Sequence, residues 1–334
     1  MSSKKSVLVT GGAGYIGSHV VLQLRERGER VVILDNLTTG FRQAAGDTPL
    51  VIGDVGDMTL VDRLLAEHDV DTVMHFAARN IVPDSVRQPL VYYHNNTGMT
   101  RNLLESCMRG NVRKFVFSST AAVYGVPEQG VAREEAVPAP ISPYGTSKLM
   151  SEWMLRDLSA VTDFRHVSLR YCNVAGSDPQ GRVGQATAKA TLLIKVACEH
   201  AVGKRPYVSV FGTDYPTRDG TGVRDYIHVA DLARAHVDAL EYLRRGGASD
   251  VLNCGYGRGY SVLEVLDSVA RVSGRTLDVR YEPRREGDLP SLVASASKVR
   301  ERLGWQPRLD DLDTIVRNTL RWEEKLQREP WSNG

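Results

Sequence analysis

The chain has 334 residues, 42 of them basic and 40 acidic, for a formal net charge of +2. That balance, with no run of Lys or Arg interleaved with aromatics, excludes the phosphate-tracking surface of a nucleic-acid binder. An ordinary apolar fraction over this length supports one large domain or two smaller ones around a sizeable core. The first apolar run, Ser6-Val7-Leu8-Val9-Thr10, is too short for a signal segment and no stretch approaches a membrane span, so a cytoplasmic protein with no membrane partner is expected. Cys107, Cys172, Cys198 and Cys254 form no Cys-x-x-Cys pair and have no zinc-like His spacing, which predicts reduced thiols and no metal.

In chain order, short β-branched runs at 6–10, 30–35, 49–53, 71–77, 113–119 and 165–171 alternate with helical patterns near 15–28, 59–67, 95–109 and 143–160. Alternation of this kind predicts parallel strands joined by crossover helices on both faces. Continuous apolar runs such as Val31-Val32-Ile33-Leu34 suit strands covered on both sides. From about residue 172 the pattern shifts to Gly- and Asp-rich loops, with helices near 186–202, 229–245, 261–273 and 310–327. The expected architecture is α/β: a doubly wound parallel sheet over 1–172, then a smaller mixed α/β lobe over 173–334. A helix-then-strand pattern ending in Asp250-Val251-Leu252-Asn253-Cys254 predicts a return of the chain to the first sheet near 225–255.

The loop Thr10-Gly11-Gly12-Ala13-Gly14-Tyr15-Ile16-Gly17 follows a strand and opens a helix, where missing side chains let backbone approach a pyrophosphate. Gly11 and Gly14 permit the turn and the close approach; Gly17 lets the helix lie on the strand. Asp35 ends the second strand, where a carboxylate accepts from both adenine-ribose hydroxyls and repels a 2′-phosphate, so NAD is expected rather than NADP. Asn36 follows it; Asp54-Val55 and Phe76-Ala77-Ala78 end the third and fourth strands at the same carboxyl edge. This is a Rossmann-type fingerprint.

Tyr144 and Lys148 stand four apart in Ser142-Pro143-Tyr144-Gly145-Thr146-Ser147-Lys148, behind a good N-cap and a Pro at the first helical position. Tyrosine is a poor base near its ordinary pKa of about 10, but an ammonium and a nicotinamide charge nearby both favour its phenolate. Ser118-Ser119-Thr120 brings hydroxyls to the same sheet edge, and Thr120 can pass a proton between a substrate and Tyr144.

With these residues in place the sequence resembles the extended short-chain dehydrogenase/reductase superfamily and, within it, the UDP-glucose 4-epimerase family. The carriers are the glycine loop through His19, Leu34-Asp35-Asn36-Leu37, Ser142-Pro143-Tyr144-Gly145, Val223-Arg224-Asp225-Tyr226-Ile227-His228-Val229 and Pro283-Arg284-Arg285-Glu286-Gly287-Asp288. The resemblance implies bound NAD and a UDP-sugar substrate, with Tyr144 as base, Lys148 as its partner and ribose anchor, and Thr120 as the bridge to the sugar. It also implies Asn95, Ser118 and Tyr171 beside the cofactor. Asn173, Arg224 and Arg285 are implied at the substrate diphosphate, Asp288 at the uridine ribose, and Leu193, Phe211, Tyr226 and Leu292 around the nucleotide-sugar. A homodimer is the family's common state. The chain departs from the family pattern at Asn80, Cys172 and Leu192.

The implied reaction is removal of a proton and a hydride from carbon 4 of the sugar, rotation of the resulting ketose, and return of the hydride to its other face. A nucleotide-sugar 4,6-dehydratase begins alike but carries Asp-Glu after the strand-end Thr; here Ala121-Ala122 stand there and cannot do acid–base work. A UDP-pentose or UDP-N-acetylhexosamine 4-epimerase remains open, as does a non-catalytic NAD-sensing binding protein.

Overall fold

A computed structural model describes residues 5–188, 190–285 and 287–332. Met1 to Lys4 and Glu286 of the Pro283–Asp288 motif therefore lie outside the described residues. The chain begins β1 (Ser6–Thr10), α1 (Tyr15–Glu26), β2 (Arg30–Asp35), α2 (Arg42–Ala45), β3 (Leu50–Ile52), α3 (Met58–Glu67) and β4 (Val70–His75). It continues α4 (Val82–Arg87), α5 (Pro89–Tyr92), α6 (Met99–Arg109), β5 (Lys114–Ser118), β6 (Val131–Ala132), α7 (Pro143–Val161), β7 (Arg165–Arg170) and β8 (Asn173–Ala175). Then come α8 (Leu193–Ala201), β9 (Val208–Phe211), β10 (Val223–His228), α9 (Val229–Arg244), β11 (Asp250–Asn253) and β12 (Gly259–Ser261). The last elements are α10 (Val262–Ser273), β13 (Val279–Glu282), β14 (Ser291–Ala294), α11 (Ser297–Leu303) and α12 (Leu312–Arg328).

Seven parallel strands form one sheet in the order β11-β7-β5-β4-β1-β2-β3. Side chains alternate between its faces, and each face has its own apolar core. Val7, Val9, Ile33, Val116 and Leu169 pack with α1 and α9 through Val20, Leu24, Leu232 and Leu240. Leu8, Val32, Leu34, Phe115 and Phe117 pack on the opposite side with Val61 of α3, Leu103 of α6 and Leu155 of α7. Both faces are thus covered, which is why the strands read as unbroken apolar runs. Because β2 and β4 flank β1, the strand order reverses there, and a crevice opens at the carboxyl edge.

The second group of elements builds on β12-β10-β14-β6, with β8 also paired to β10, and on a parallel β9–β13 pair. Helices α8, α10 and α12 close it through Ile194, Cys198, Val265, Leu266, Ile315 and Val316. Strand β6 lies early in the chain yet pairs with β14, while β11 lies late yet pairs with β7, so the polypeptide crosses between the two sheets more than once.

Two helices differ from the sequence expectation. The segment expected to start a helix at 186 becomes helical only at Leu193. Carbonyls within it and just before it are engaged elsewhere: that of Gln185 accepts from Lys195 Nζ and Trp322 Nε1, each at 3.1 Å, and that of Ala190 from Arg205 Nη2 at 3.1 Å. The helix expected over 95–109 is α-helical only from Met99, after a wider π-type turn over Tyr93–Gly98. That turn aims the Asn95 and Asn96 side-chain oxygens together at the Arg79 amide, at 3.2 and 2.9 Å.

Candidate active site

The carboxyl edge of the parallel sheet and the facing surface of the second lobe enclose a cavity of about 1160 Å³. On the sheet side it is lined by Gly11, Gly14, Tyr15, Ile16 and Gly17 after β1, Asp35 and Asn36 after β2, and Asp54 and Val55 after β3. Phe76, Ala77 and Ala78 follow β4; Asn95, Ser118, Thr120, Tyr144, Lys148 and Tyr171 complete that wall. Opposite stand Asn173, Leu193, Phe211, Arg224, Tyr226, Arg285, Asp288 and Leu292. Every site residue named from the sequence therefore faces one space. Arg79, Tyr92, Tyr207 and Tyr215 also line it and were not singled out; no motif carries them, and only the folded chain brings them there.

The dinucleotide end is built from backbone. A Cβ on Gly11 would lie 2.6 Å from the Ala77 amide nitrogen, and one on Gly17 would lie 2.2 Å from the Gly11 carbonyl oxygen, so neither position admits a side chain. Gly14 differs: a Cβ there would meet only the Gly11 carbonyl oxygen, at 3.2 Å, and would narrow the cavity instead. Gly14 also opens α1 with no side-chain cap, leaving the first helical N–H groups free to bind an anion. Asp35 braces this loop, accepting from the Ala13 amide at 2.9 Å and the Leu37 amide at 2.8 Å. Burial raises its pKa and those two bonds oppose the rise. A cradle of this shape, with a carboxylate at the end of β2, fits NAD.

The catalytic group is set by two caps. Ser142 caps α7, accepting from the Gly145 amide at 3.3 Å, with Pro143 at the first position and Tyr144 next. Thr120 caps the short turn after β5, accepting from the Ala122 amide at 3.1 Å, and its hydroxyl lies close enough to that of Tyr144 to hold the phenol's pKa down. Lys148 Nζ donates to the Ser118 carbonyl at 2.8 Å and sits 4.7 Å from the centroid of the Phe117 ring. Burial pushes the Tyr144 phenol up to about 12, with Thr120 pulling it back and Tyr92 adding to the rise. Burial likewise pulls the Lys148 ammonium down to about 7, against Glu152. This corrects the expectation that the ammonium beside Tyr144 favours its phenolate: Lys148 is turned to the Ser118 carbonyl, and burial of the phenol outweighs it. The positive nicotinamide, the second charge in that expectation, comes with the cofactor.

Facing them, Arg224 Nη1 donates to the Val223 carbonyl at 2.8 Å. Arg285 lies 4.6 Å from the centroid of the Phe211 ring and donates through Nε to Asp288 at 2.9 Å. Two guanidinium groups thus converge on one wall, a strong arrangement for a diphosphate. Among the described residues no cluster of His, Cys, Asp and Glu could hold a metal, and no helix is long and apolar enough to cross a membrane.

A glycine cradle at a strand switch point, joined to a Tyr–Lys–Thr group, defines an NAD-dependent enzyme of the short-chain type. The model of the NAD dependent epimerase/dehydratase family matches residues 7–255, and the chain belongs to that family. It is 56% identical to a UDP-glucose 4-epimerase of Azospirillum brasilense over 329 residues, covering 98% of this chain and 94% of the relative. Among solved structures it is similar to UDP-glucose 4-epimerase from Brucella ovis in complex with NAD, with TM-score 0.92, 41% identity, and 96% and 98% of the two chains covered. It is also similar to the UDP-Glc/GlcNAc 4-epimerase of Campylobacter jejuni, with TM-score 0.83, 46% identity, and 96% and 99% covered.

The lowered Lys148 value has a stability consequence. Between about 7 and the ordinary value of 10.5 the folded chain binds less proton at this site than the unfolded chain. Stability therefore rises with pH across that window, and the full penalty is present below it. Lys148→Met should raise the melting temperature of the NAD-free protein at about pH 6, and by clearly less at about pH 10. Equal shifts at the two pH values would contradict the assignment.

Proposed function

We propose that the chain interconverts UDP-galactose and UDP-glucose by inverting carbon 4, with Tyr144 as the general base. The observation that carries this reading is the Tyr144–Thr120 hydroxyl pair at the junction between the glycine cradle and the arginine-lined wall. Bound NAD supplies a hydride acceptor that becomes the donor in the second half of the reaction. Tyr144 takes the proton of the sugar 4-hydroxyl, directly or through Thr120, and later returns it. Lys148 orients the nicotinamide ribose and stands one helical turn from Tyr144 as its partner. Residues 1–172, with the return near 225–255, hold the cofactor, and 173–334 hold the UDP-sugar.

Arg224, Arg285 and Asn173 grip the diphosphate, which requires the Arg285–Asp288 contact to loosen so that Asp288 can take the uridine ribose. Phe211, Tyr226 and Leu193 border the nucleotide. Binding energy spent on UDP rather than on the hexose lets the ketose turn and present either face, as an inversion at one carbon demands. A homodimer is also proposed: α4 and α5 pack on α7, and Val86, Leu90 and Trp153 on these helices remain 45%, 79% and 46% exposed. Apolar side chains left outward on neighbouring helices suit a two-fold partner.

A second substrate is supported by Leu292, which lines the cavity and is 8% exposed. Leucine is of intermediate size and offers the sugar no hydroxyl. The similar Campylobacter jejuni protein is a UDP-Glc/GlcNAc 4-epimerase. UDP-galactose is the preferred substrate in this reading, and UDP-N-acetylgalactosamine turns over more slowly.

Two experiments test these statements. Tyr144→Phe should bind UDP and NAD but lose ~10²–10⁴-fold in turnover of UDP-galactose; wild-type turnover would remove Tyr144 as the base. Leu292→Tyr should lower kcat/KM for UDP-N-acetylgalactosamine relative to UDP-galactose, by roughly tenfold or more for a clash in a packed wall. An unchanged ratio would show that Leu292 does not form the sugar wall.

A further inference from the structure

Tyr144 and Lys148 are the first two members of a longer series. Glu152 stands four residues beyond Lys148 on the same face of α7 and is 4% exposed. A carboxylate so placed must be paired and hydrogen-bonded to persist as an anion. One of its oxygens accepts from the Ser119 hydroxyl at 2.5 Å and from Arg170 Nε at 2.9 Å; the other accepts from Arg170 Nη2 at 2.5 Å. Arg170 is 5% exposed and lies 4.8 Å from the centroid of the Tyr124 ring, whose hydroxyl donates to Asn253 Oδ1 at 2.7 Å.

The position of Ser119 gives this network its meaning. On one side stands Ser118, whose carbonyl accepts the Lys148 ammonium; on the other stands Thr120, whose hydroxyl meets Tyr144. The Ser119 amide donates to the Leu169 carbonyl at 2.9 Å, so the hydroxyl bond to Glu152 ties this strand end to α7. We infer that Glu152 is a positioning residue of the reaction: it holds Ser118-Ser119-Thr120 against α7 and places a buried carboxylate one helical turn from Lys148. The inference rests on the proposed roles of Tyr144 and Lys148.

The other groups around Lys148 do not supply that negative charge. Tyr144 shares its helix and is a neutral phenol in the cofactor-free chain, as are Tyr92 from α5 and Tyr171 beyond β7, all three raised chiefly by burial. His75 of β4 is held neutral, down at about 3, first by burial and then by Lys148 itself. Its two ring nitrogens are taken by Thr10 and Thr100, at 2.6 and 2.9 Å. Arg170 is positive and partly offsets Glu152. The carboxylate that opposes the burial of Lys148 is Glu152.

The test is the pH profile of kcat for UDP-galactose, measured on the NAD-loaded wild type, Glu152→Gln and Ser119→Ala. Glu152→Gln keeps the side-chain shape and an acceptor for Ser119 but removes the charge. Lys148 then holds its proton less well, so the alkaline limb should move to lower pH by about one unit, a tenfold change in proton affinity, with KM nearly unchanged. Ser119→Ala deletes one hydroxyl and should lower kcat by roughly tenfold at constant KM, through misplacement of Thr120. Should Arg170, left unpaired, prevent Glu152→Gln from folding, Ser119→Ala decides alone. A limb that stays in place and an unchanged kcat per folded molecule, with only the melting temperature lowered, would overturn the inference. An inactive Tyr144→Phe beside such a result would leave the base assignment standing; a fully active Tyr144→Phe would overturn both.

Discussion

Everything in the proposed chemistry depends on one docking: a face of α7 laid against the carboxyl end of β5. The strand end offers a backbone carbonyl from Ser118 and a hydroxyl from Thr120, and the helix meets them with Lys148 and Tyr144. A shift of one residue in either element would separate both contacts together, because a strand alternates faces at every residue and a helix turns about 100°. The caps explain how the register is kept. Ser142 and Pro143 start α7 one residue before Tyr144, and Thr120 starts the turn after β5, so each functional hydroxyl sits at or beside a helix N-terminus with little freedom.

The same edge of the sheet also shapes the cofactor cradle, and the two halves are linked electrically. Burial that excludes water from Tyr144 and Lys148 opposes both charged forms, lifting one pKa and lowering the other. NAD held in the cradle would supply a positive nicotinamide, a charge that favours the phenolate of Tyr144 against its burial. A chain that carried out this reaction in an open, wet cleft would gain little from that charge, since exposed charges interact weakly.

Much of this was legible in the sequence because its signals are local. A strand followed by glycines and a helix, Asp35 at the next strand end, and Tyr144 and Lys148 on one helical face all lie within short stretches, and all line the one cavity. The family resemblance reached Arg224, Arg285 and Asp288, which composition could not distinguish from surface ion-pair residues. Other features depend on partners distant in sequence. The segment 186–192 reads as helix, yet its neighbouring carbonyls bond to Lys195, Arg205 and Trp322, so tertiary hydrogen bonds override local preference. Strand β6 pairs with a strand more than a hundred residues away, and the Glu152–Arg170 pair joins two elements that no spacing rule connects. Tyr144 lines the cavity, but the burial that raises its pKa could not be read, because a linear sequence does not say how deeply a phenol is buried.

Transfer of the same hydride out of and back into carbon 4 is the central claim, and an isotope at that carbon tests it most directly. UDP-galactose carrying deuterium at carbon 4 is turned over by the NAD-loaded protein in ordinary water, and the UDP-glucose formed is examined by mass spectrometry and NMR. The account predicts that the deuterium remains on carbon 4 of the product, with none lost to solvent and none gained elsewhere on the ring. Replacement of that deuterium by hydrogen from water, or a product lacking the 6-hydroxyl, would contradict it.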